Sequence, residues 1–378
     1  MNQWNLSLQR EVVKDLVVEA AYVGNRGVWF QNNGVVNYNA LDPNYLNSVY
    51  ARLGLNPTVA ADRTIITGLI SAPAATSRGL GKPYANYPDA GTVIQSLKPF
   101  PQYNGVGATW APLGNTWYDA LQVKATKRYS QGLDATLSYA FSKNLTNIGS
   151  ATGNVFDRST FKGLSPDDRR HLLTISLNYT VQPYGFVKNH RATRLLLSGW
   201  TIGSVLQYQS GQLLASPGSN NSIGTYYPGQ SSRQFRVAGQ PLYTKDLNCG
   251  CIKPDVETVL NPNAWVDAPL GTFGAQQTYY ADFRGQRRPQ ESLALGKRFA
   301  IRERMAFTVR AEFFNIFNRL VSLPDPSTAN PQNPPTRNAQ GILTGGFGFS
   351  NFSAIDSNNQ NNVLPAPRTG QLVARFEF

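Results

Sequence analysis

The sequence predicts an all-β fold, an antiparallel transmembrane β-barrel with long loops on one side. Three observations predict it: nine segments alternate apolar and polar residues, the connections between them alternate between short and long, and their aromatic residues fall in two bands. Composition agrees, because hydrophobic residues make up 41% and charged residues only 15% of the 378 residues, as expected where lipid-facing side chains alternate with polar ones. No stretch is long and apolar enough to span a bilayer as a helix, which excludes a helical membrane protein.

The period-two alternation is clearest in two segments. In 132–144, one face carries Leu133, Ala135, Leu137, Tyr139 and Phe141. In 305–317, Arg310 and Glu312 fall on the face opposite the apolar residues, which implies a charged inner face. Seven further segments alternate in the same way: 2–10, 14–24, 117–129, 169–182, 194–209, 290–299 and 369–378. Many are near the roughly 9–11 residues that a tilted strand needs to cross a bilayer.

The connections between these segments are alternately short and long. The short connections are 11–13, 130–131, 183–193 and 300–302. The long ones are rich in Gly, Pro, Asn, Ser and Tyr, and they are 25–116, 144–168, 210–289 and 318–368. Tight periplasmic turns and long extracellular loops produce this asymmetry in outer-membrane barrels, whereas a soluble sandwich has no reason to produce it. Additional strands could lie within the loops, for instance around 101–111 or 343–355.

Aromatic residues mark both ends of the predicted strands. With the short turns in the periplasm, the outer ends carry Tyr22, Trp117, Tyr139, Phe141, Phe313 and Phe317. The inner ends carry Tyr129, Tyr179, Phe376 and Phe378. Such bands are expected at the two membrane interfaces, where the ring is apolar and its polar tip stays hydrated.

The formal net charge of +13 comes from basic residues scattered along the chain, which favours a solvated surface over a nucleic-acid or anionic-lipid site. The densest group brackets a predicted turn and comprises Lys297, Arg298, Arg302 and Arg304. Cys249 and Cys251 lie far from any second Cys/His cluster, so a local disulfide or a free pair is favoured over a metal site. We expect no cofactor and no nucleic-acid partner.

Five motifs occur in an order that resembles TonB-dependent receptors with an Oar-like barrel. They are NTWYDALQVKATKRYSQGLDATLSYAFSKNL, SPDDRRHLLTISLNY, LLSGWTIGSVLQYQSGQ, VRAEFFNIFNR and PRTGQLVARFEF. The resemblance implies a barrel of roughly 22 strands that holds a plug. It also implies that 1–378 is the C-terminal part of that barrel, without the plug, the N-terminal regulatory-like domain, the export signal and the segment that contacts TonB. The fold we expect is therefore an incomplete barrel.

The last predicted strand ends the chain on alternating apolar residues. These are Leu372, Ala374, Phe376 and Phe378. The pattern resembles the closing strand that barrel assembly machinery recognises in this family. On the opposite strand face of 305–317, Arg310 and Glu312 are candidates for contact with the plug, and an internal salt-bridge lattice is an equal alternative.

No pattern in the sequence predicts catalysis, so we expect that the protein is not an enzyme. His171 follows the acidic and basic pairs of the DDRRH motif, where a structural role is favoured. Asp167 and Asp168 beside two arginines indicate an ion-pair cluster at a barrel rim. Loop tyrosines could stack on a sugar or a siderophore, and they include Tyr226, Tyr227, Tyr279 and Tyr280.

Three functions stay open. The leading one is an outer-membrane receptor barrel for TonB-dependent transport of an unidentified solute, whose partners would be outer-membrane lipid, the assembly machinery and the TonB system. The second is a structural or adhesive surface barrel whose loops bind partners. The third is a secreted β-sandwich or propeller that acts on polysaccharide. The outer membrane is the expected location in the first two.

Overall fold

Nine long antiparallel strands form the main sheet of the computed structural model, which describes residues 1–149, 154–182, 197–227, 230–302, 305–319, 325–350 and 368–378. The strands are β1 (Asn2–Val13), β2 (Leu16–Phe30), β3 (Gly114–Ser130), β4 (Leu133–Thr146), β6 (His171–Thr180), β7 (Trp200–Gln209), β12 (Arg288–Arg302), β13 (Met305–Phe314) and β16 (Thr369–Glu377). Each coincides with one of the nine predicted segments. Each long strand pairs with the long strands next to it in chain order, so the sheet is a single meander. The predicted all-β antiparallel fold is confirmed.

The strand register separates the two faces across seven of the nine long strands. One row of paired residues is polar on every strand it crosses: Gln9, Glu19, Lys124, Ser138, Thr174, Gln207 and Gln290. The adjacent row on the other face is apolar or aromatic: Leu8, Ala20, Val123, Tyr139, Leu173, Tyr208 and Pro289. Both rows begin near the middle of β1 and end at the start of β12. The strands are therefore staggered, as a barrel wall requires.

Tight turns join the strands at one end of the sheet. Asp15 (φ 64°) lies in the β1–β2 turn, and Gln131 (φ 52°) and Gly132 (φ 86°) form the β3–β4 turn. Two successive residues with positive φ are the signature of a two-residue hairpin turn that matches strand twist. A Cβ atom at Gly132 would lie 2.2 Å from the carbonyl oxygen of Thr180, so glycine is required there. The predicted connections 11–13 and 300–302 instead continue β1 and β12, because the strand pairing extends to these residues, and the predicted connection 183–193 lies outside the described residues.

The long connections at the other end contain structure of their own. Their helices are α1 (Pro43–Leu53), α2 (Ala60–Thr67), α3 (Pro73–Thr76), α4 (Val93–Ser96) and α5 (Ile223–Tyr226), with 3-10 turns at Asn33–Val35, Arg158–Phe161 and Pro262–Ala264. Their short strands are β5 (Gly163–Leu164), β8 (Leu213–Ala215), β9 (Phe235–Arg236), β10 (Trp265–Val266), β11 (Tyr279–Arg284), β14 (Thr336–Arg337) and β15 (Leu343–Gly345). Of the additional strands considered, 101–111 has none, β15 pairs with β14 outside the main sheet, and 351–355 lies outside the described residues.

Helix α1 shows why loop sequence can form a helix. The Asp42 carboxylate accepts hydrogen bonds from the backbone N–H groups of Asn44 and Tyr45, Pro43 occupies the first helical position, and Gly54 ends the helix in the left-handed conformation. These are strong helix start and stop signals. Leu46, Val49 and Tyr50 of α1 are buried.

Two apolar clusters pack the long loops against one another. The first joins loop 31–113 to loop 210–287, and it contains Leu41, Leu46, Tyr50, Leu55, Ile66, Ile94, Ile223 and Tyr227. The second joins loop 210–287 to Phe347 of loop 315–368, and it contains Leu214, Leu242, Leu247, Val259, Leu260, Ala264, Trp265 and Phe283. We call the four long loops, 31–113, 147–170, 210–287 and 315–368, together the cap. The cap is a packed assembly.

The main sheet is open in this structure. Within the described residues, β1 and β16 are its two edges and each has one long neighbour. Lipid supplies no hydrogen-bond partners, so edges of this kind need further strand pairing within a membrane. Of the helices in the part of the chain that the structure describes, none is long and apolar enough to cross a membrane.

Candidate functional site

The polar face of the sheet carries the two charged residues singled out in the sequence. The Arg310 Nε atom lies 2.8 Å from Oε1 of Glu312, and the Gln371 amide donates to Oε2 of the same carboxylate. Together with Asn178 and Ser292, Arg310 and Glu312 line a cavity on this face. An ion pair of this kind fits the salt-bridge lattice considered from sequence. Contact of Arg310 and Glu312 with a plug stays a prediction.

A second charged group lies on the polar face nearer the tight turns. Glu377 lies 3.4 Å from the guanidinium of Arg298 and 3.4 Å from that of Arg375. Arg298, one of the four basic residues that bracket the β12–β13 turn, thus joins β12 to β16. Lys297, its neighbour, points to the other face, where its ammonium donates to the Ser198 carbonyl. The same ammonium lies 5.3 Å from the ring centroid of Trp200.

The apolar residues of β16 share one face, as their alternation predicts. Leu372 pairs with Ala311, Ala374 with Val309, and Phe376 with Phe307. The rings of Phe376 and Phe378 are 6.4 Å apart, and Leu372 and Phe378 are 81% and 95% exposed. This is a continuous apolar strip open on the outward side. Recognition of these four residues by the assembly machinery stays a prediction.

A buried ion pair ties two loops of the cap at the mouth of the sheet. Arg284 contacts the Asp168 carboxylate at 2.5 Å, and the other Asp168 oxygen accepts the backbone N–H of Asn144 at 2.8 Å. Asp168 is 2% exposed. The sequence predicts an ion-pair cluster of Asp167 and Asp168 with the adjacent arginines, whereas the buried partner of Asp168 lies 116 residues away. No local signal points to Arg284.

The end of β11 is fixed by a tyrosine from the cap. The Tyr243 hydroxyl donates to the carbonyl of Arg284 at 2.7 Å and accepts the backbone N–H of the same residue at 2.6 Å. Burial raises the pKa of Tyr243 to about 12. The hydroxyl therefore stays neutral and keeps both hydrogen bonds at physiological pH.

Other candidates from the sequence have structural surroundings. The Tyr139 hydroxyl lies 2.8 Å from Nδ1 of His171, and the His171 ring packs 5.2 Å from that of Phe141. Cys249 and Cys251 are joined by a disulfide with a Cα–Cα distance of 5.2 Å in an exposed turn. Among the described residues, no group of three His, Cys, Asp or Glu side chains could hold a metal ion.

The loop tyrosines considered as binding platforms belong in part to the cap's interior. Tyr227 is buried and stacks on Phe273 with ring centroids 5.1 Å apart. Tyr280 packs against Trp265 at 6.0 Å. The Tyr227 ring is therefore not free to stack on a solute. Tyr279 and the half-buried Tyr280 line an open groove, and the Tyr226 side chain lies outside the described part of the chain.

Comparison with known proteins decides the family. The model of a family described as "Outer membrane beta barrel domain" matches residues 1–371. The chain belongs to this family. The main sheet is accordingly the wall of an outer-membrane barrel, its apolar face is the lipid-facing face, and the protein is located in the outer membrane.

One solved structure with a detectable likeness is the outer membrane transporter YddB from Escherichia coli. It is 9% identical, with a TM-score of 0.37, over 100% of this chain and 32% of that chain. The barrel chain thus spans about a third of that protein's length. No curated protein is significantly similar to the sequence.

Proposed function

We propose that this chain forms the C-terminal part of the wall, with its extracellular loops, of a TonB-dependent receptor that takes up an unidentified solute, and that it is not an enzyme. The row of seven polar residues from Gln9 to Gln290 carries the proposal. Such a row needs water or protein against it, whereas the opposite row needs lipid. A barrel wall around a polar interior meets both needs.

The five sequence motifs support the finer assignment to TonB-dependent receptors. They fall on β3 with β4, β6, β7, β13 and β16, which are all strands of the main sheet. The resemblance therefore rests on the barrel wall and its turns. It implies energy relayed by TonB through a segment outside this sheet.

The cap supports a role in selecting what enters the barrel. Apolar clusters join loop 210–287 to loops 31–113 and 315–368, and the Asp168–Arg284 pair adds loop 147–170. All four extracellular loops thus contact a neighbour. A packed cap presents a defined surface to a solute, which separately mobile loops would not.

The two other functions differ in how well they agree with the observed fold. A secreted sandwich or propeller does not agree with a single meander sheet located in the outer membrane. An adhesive barrel has the same wall and cap, so a functional experiment has to separate it from a receptor.

The test compares cells with and without the full-length protein in a complex growth medium. We expect at least one solute to be depleted from the medium only when both the protein and an active TonB system are present, as measured by mass spectrometry. A protonophore should abolish this depletion, because TonB relays energy from the proton gradient. Surface binding that is insensitive to the protonophore, without depletion, would indicate the adhesive function. New reaction products formed without TonB would indicate an enzyme.

A further inference from the structure

Four exposed cations gather on the lipid-facing side of the sheet at its extracellular end. They are Arg26 of β2, Lys143 of β4, and Lys162 and Arg170 of loop 147–170. We call them the outward basic patch. Arg26 pairs in register with Trp117, and Lys143 with Asp119, which puts both on the same face as Tyr22 and Phe141. These residues are far apart in sequence, so only the strand register brings them together.

Aromatic rings contact three of the four cations of the patch. The Lys162 ammonium lies 4.3 Å and the Arg26 guanidinium 5.7 Å from the ring centroid of Trp117. The Arg170 guanidinium lies 5.8 Å from the ring of Phe141. Cations over aromatic faces are stabilised by the ring quadrupole and keep their N–H groups available. The patch therefore coincides with the outer aromatic band that marks the membrane interface.

Protein carboxylates do not neutralise the outward basic patch. Within the described residues, none of its four cations has an ion pair within 4.0 Å. Of the carboxylates beside it, Asp119, which accepts the Tyr22 hydroxyl at 2.6 Å, offsets the charge of one of the four cations. Asp168 is held by Arg284. The patch carries a net positive charge toward the headgroup layer.

Three of the four cations line a groove between the sheet and the cap. The groove is lined by Lys143, Lys162 and Arg170, by Tyr279 and Gln277, and by Asp168, whose charge is paired with Arg284. Phosphate oxygens accept hydrogen bonds from ammonium and guanidinium groups and from nearby hydroxyl and amide groups. Below the groove, toward the tight turns, the outward side chains are apolar, and they include Leu121, Val123 and Phe141. Acyl chains fit this lower part.

We propose that the outward basic patch binds the phosphate groups of the phosphorylated glycolipid in the outer leaflet of the outer membrane. A lipid fits better than a soluble anion because cations and apolar side chains share one face and succeed each other along the strands. The bound lipid would anchor the extracellular end of β2–β4 and loop 147–170 at a fixed height in the membrane.

The experiment measures how much lipid A the purified full-length protein retains, counted by native mass spectrometry. The variant is Lys143→Gln, Lys162→Gln and Arg170→Gln combined. With each interfacial cation contributing about a factor of five, we expect roughly a hundredfold weaker retention of diphosphorylated lipid A. Lipid A stripped of its phosphates should be retained weakly by both proteins. Exchange to Lys143→Arg, Lys162→Arg and Arg170→Lys should preserve retention.

The control removes three exposed cations from the periplasmic end, Arg10→Gln, Lys14→Gln and Arg128→Gln, and should retain lipid A like the wild type. Heat-modifiable mobility checks that each variant is folded. If the triple variant does not fold, Lys143→Gln alone decides, with an expected loss of about fivefold. Equal retention by wild type and variant overturns the proposal. Equal retention of lipid with and without phosphates, or displacement by excess inorganic phosphate, overturns it as well, since these outcomes indicate acyl contact alone or a soluble-anion site.

Discussion

At the scale of single residues, the alternation of side chains along a strand decides whether each side chain faces lipid or the polar interior. Leu137 pairs with Ala125 and Ile175 on the lipid-facing side, whereas Ser138 pairs with Lys124 in the polar row. These neighbours in sequence face opposite solvents. The same substitution at the two positions therefore tests the assignment of the faces.

We expect Leu137→Arg to destabilise the barrel far more than Ser138→Arg. An arginine exposed to lipid near the midplane costs roughly 2–4 kcal/mol, whereas one on the polar face can stay hydrated. The measurement is the free energy of unfolding of the two full-length variants in lipid vesicles, compared with the wild type. Equal stabilities would contradict a membrane location for this strand.

Tyr243 provides a pH-dependent contact in the cap. Its folded pKa of about 12 exceeds the unperturbed value of about 10, so its contribution to stability is complete below about pH 10 and is lost as the pH rises toward 12. We expect the cap to loosen over this range, as measured by near-ultraviolet circular dichroism. Tyr243→Phe should remove this transition and weaken the cap by about 1 kcal/mol, because the Arg284 N–H loses its acceptor. Tyr38→Phe, at an exposed position, is the control and should titrate like the wild type.

At the scale of elements, β16 combines a polar and an apolar face within nine residues. Its polar side bonds to Glu312 through Gln371, and its apolar side continues the row from Phe299 through Phe307 to Phe376. The strand thus extends the polar face and the apolar face of the wall by one strand. Beyond it, the edge is unpaired within the described residues.

Replacing Phe376 and Phe378 with Ser, or deleting Phe378, should sharply reduce the amount of folded barrel in the outer membrane. The apolar strip of β16 would then offer less to lipid and to the assembly machinery, while transcript levels stay unchanged. The assay compares heat-modifiable mobility and surface protease accessibility with the wild type. Val373→Ser, on the polar face of the same strand, is the matched control. Normal assembly without the terminal aromatic rings would refute the assembly role.

At the scale of the whole molecule, the wall and the cap are built by different rules. The wall has an apolar side that lipid covers, whereas the apolar clusters of the cap are covered by protein. Phe347, which is 3% exposed, is the residue through which loop 315–368 enters the cluster of loop 210–287. The cap should therefore be able to open while the wall stays folded.

We expect Phe347→Ala to open the cap and leave the barrel wall folded. Removing a buried phenyl ring costs about 3–5 kcal/mol, which should outweigh the remaining hydrogen bonds between the two loops, such as that from the Leu343 N–H to the Asp255 carbonyl. Protease added to intact cells should then cut within 210–287 or 315–368, while heat-modifiable mobility stays normal. Trp110→Ala, at a position that is 64% exposed, should leave the cleavage pattern unchanged. Identical patterns for wild type and Phe347→Ala would mean that the cap is not held by this cluster.

The sequence by itself determined the wall. All nine strands were predicted, with ends that differ mostly by a few residues, because a strand between two solvents must alternate with period two and that pattern is local. The faces of Arg310, Glu312, Leu372 and Phe376 followed from the same parity. The disulfide candidates Cys249 and Cys251 were also evident, since only local chemistry was involved.

Only the tertiary structure decided the cap and the rim. Helix α1 has local capping signals, but its apolar side is defined by residues such as Ile223 from another loop. The Asp168–Arg284 pair joins residues 116 positions apart. The basic residues looked scattered along the chain, yet Arg26, Lys143 and Lys162 meet on one face. These contacts depend on the register and stagger of strands distant in sequence, and no local pattern records that alignment.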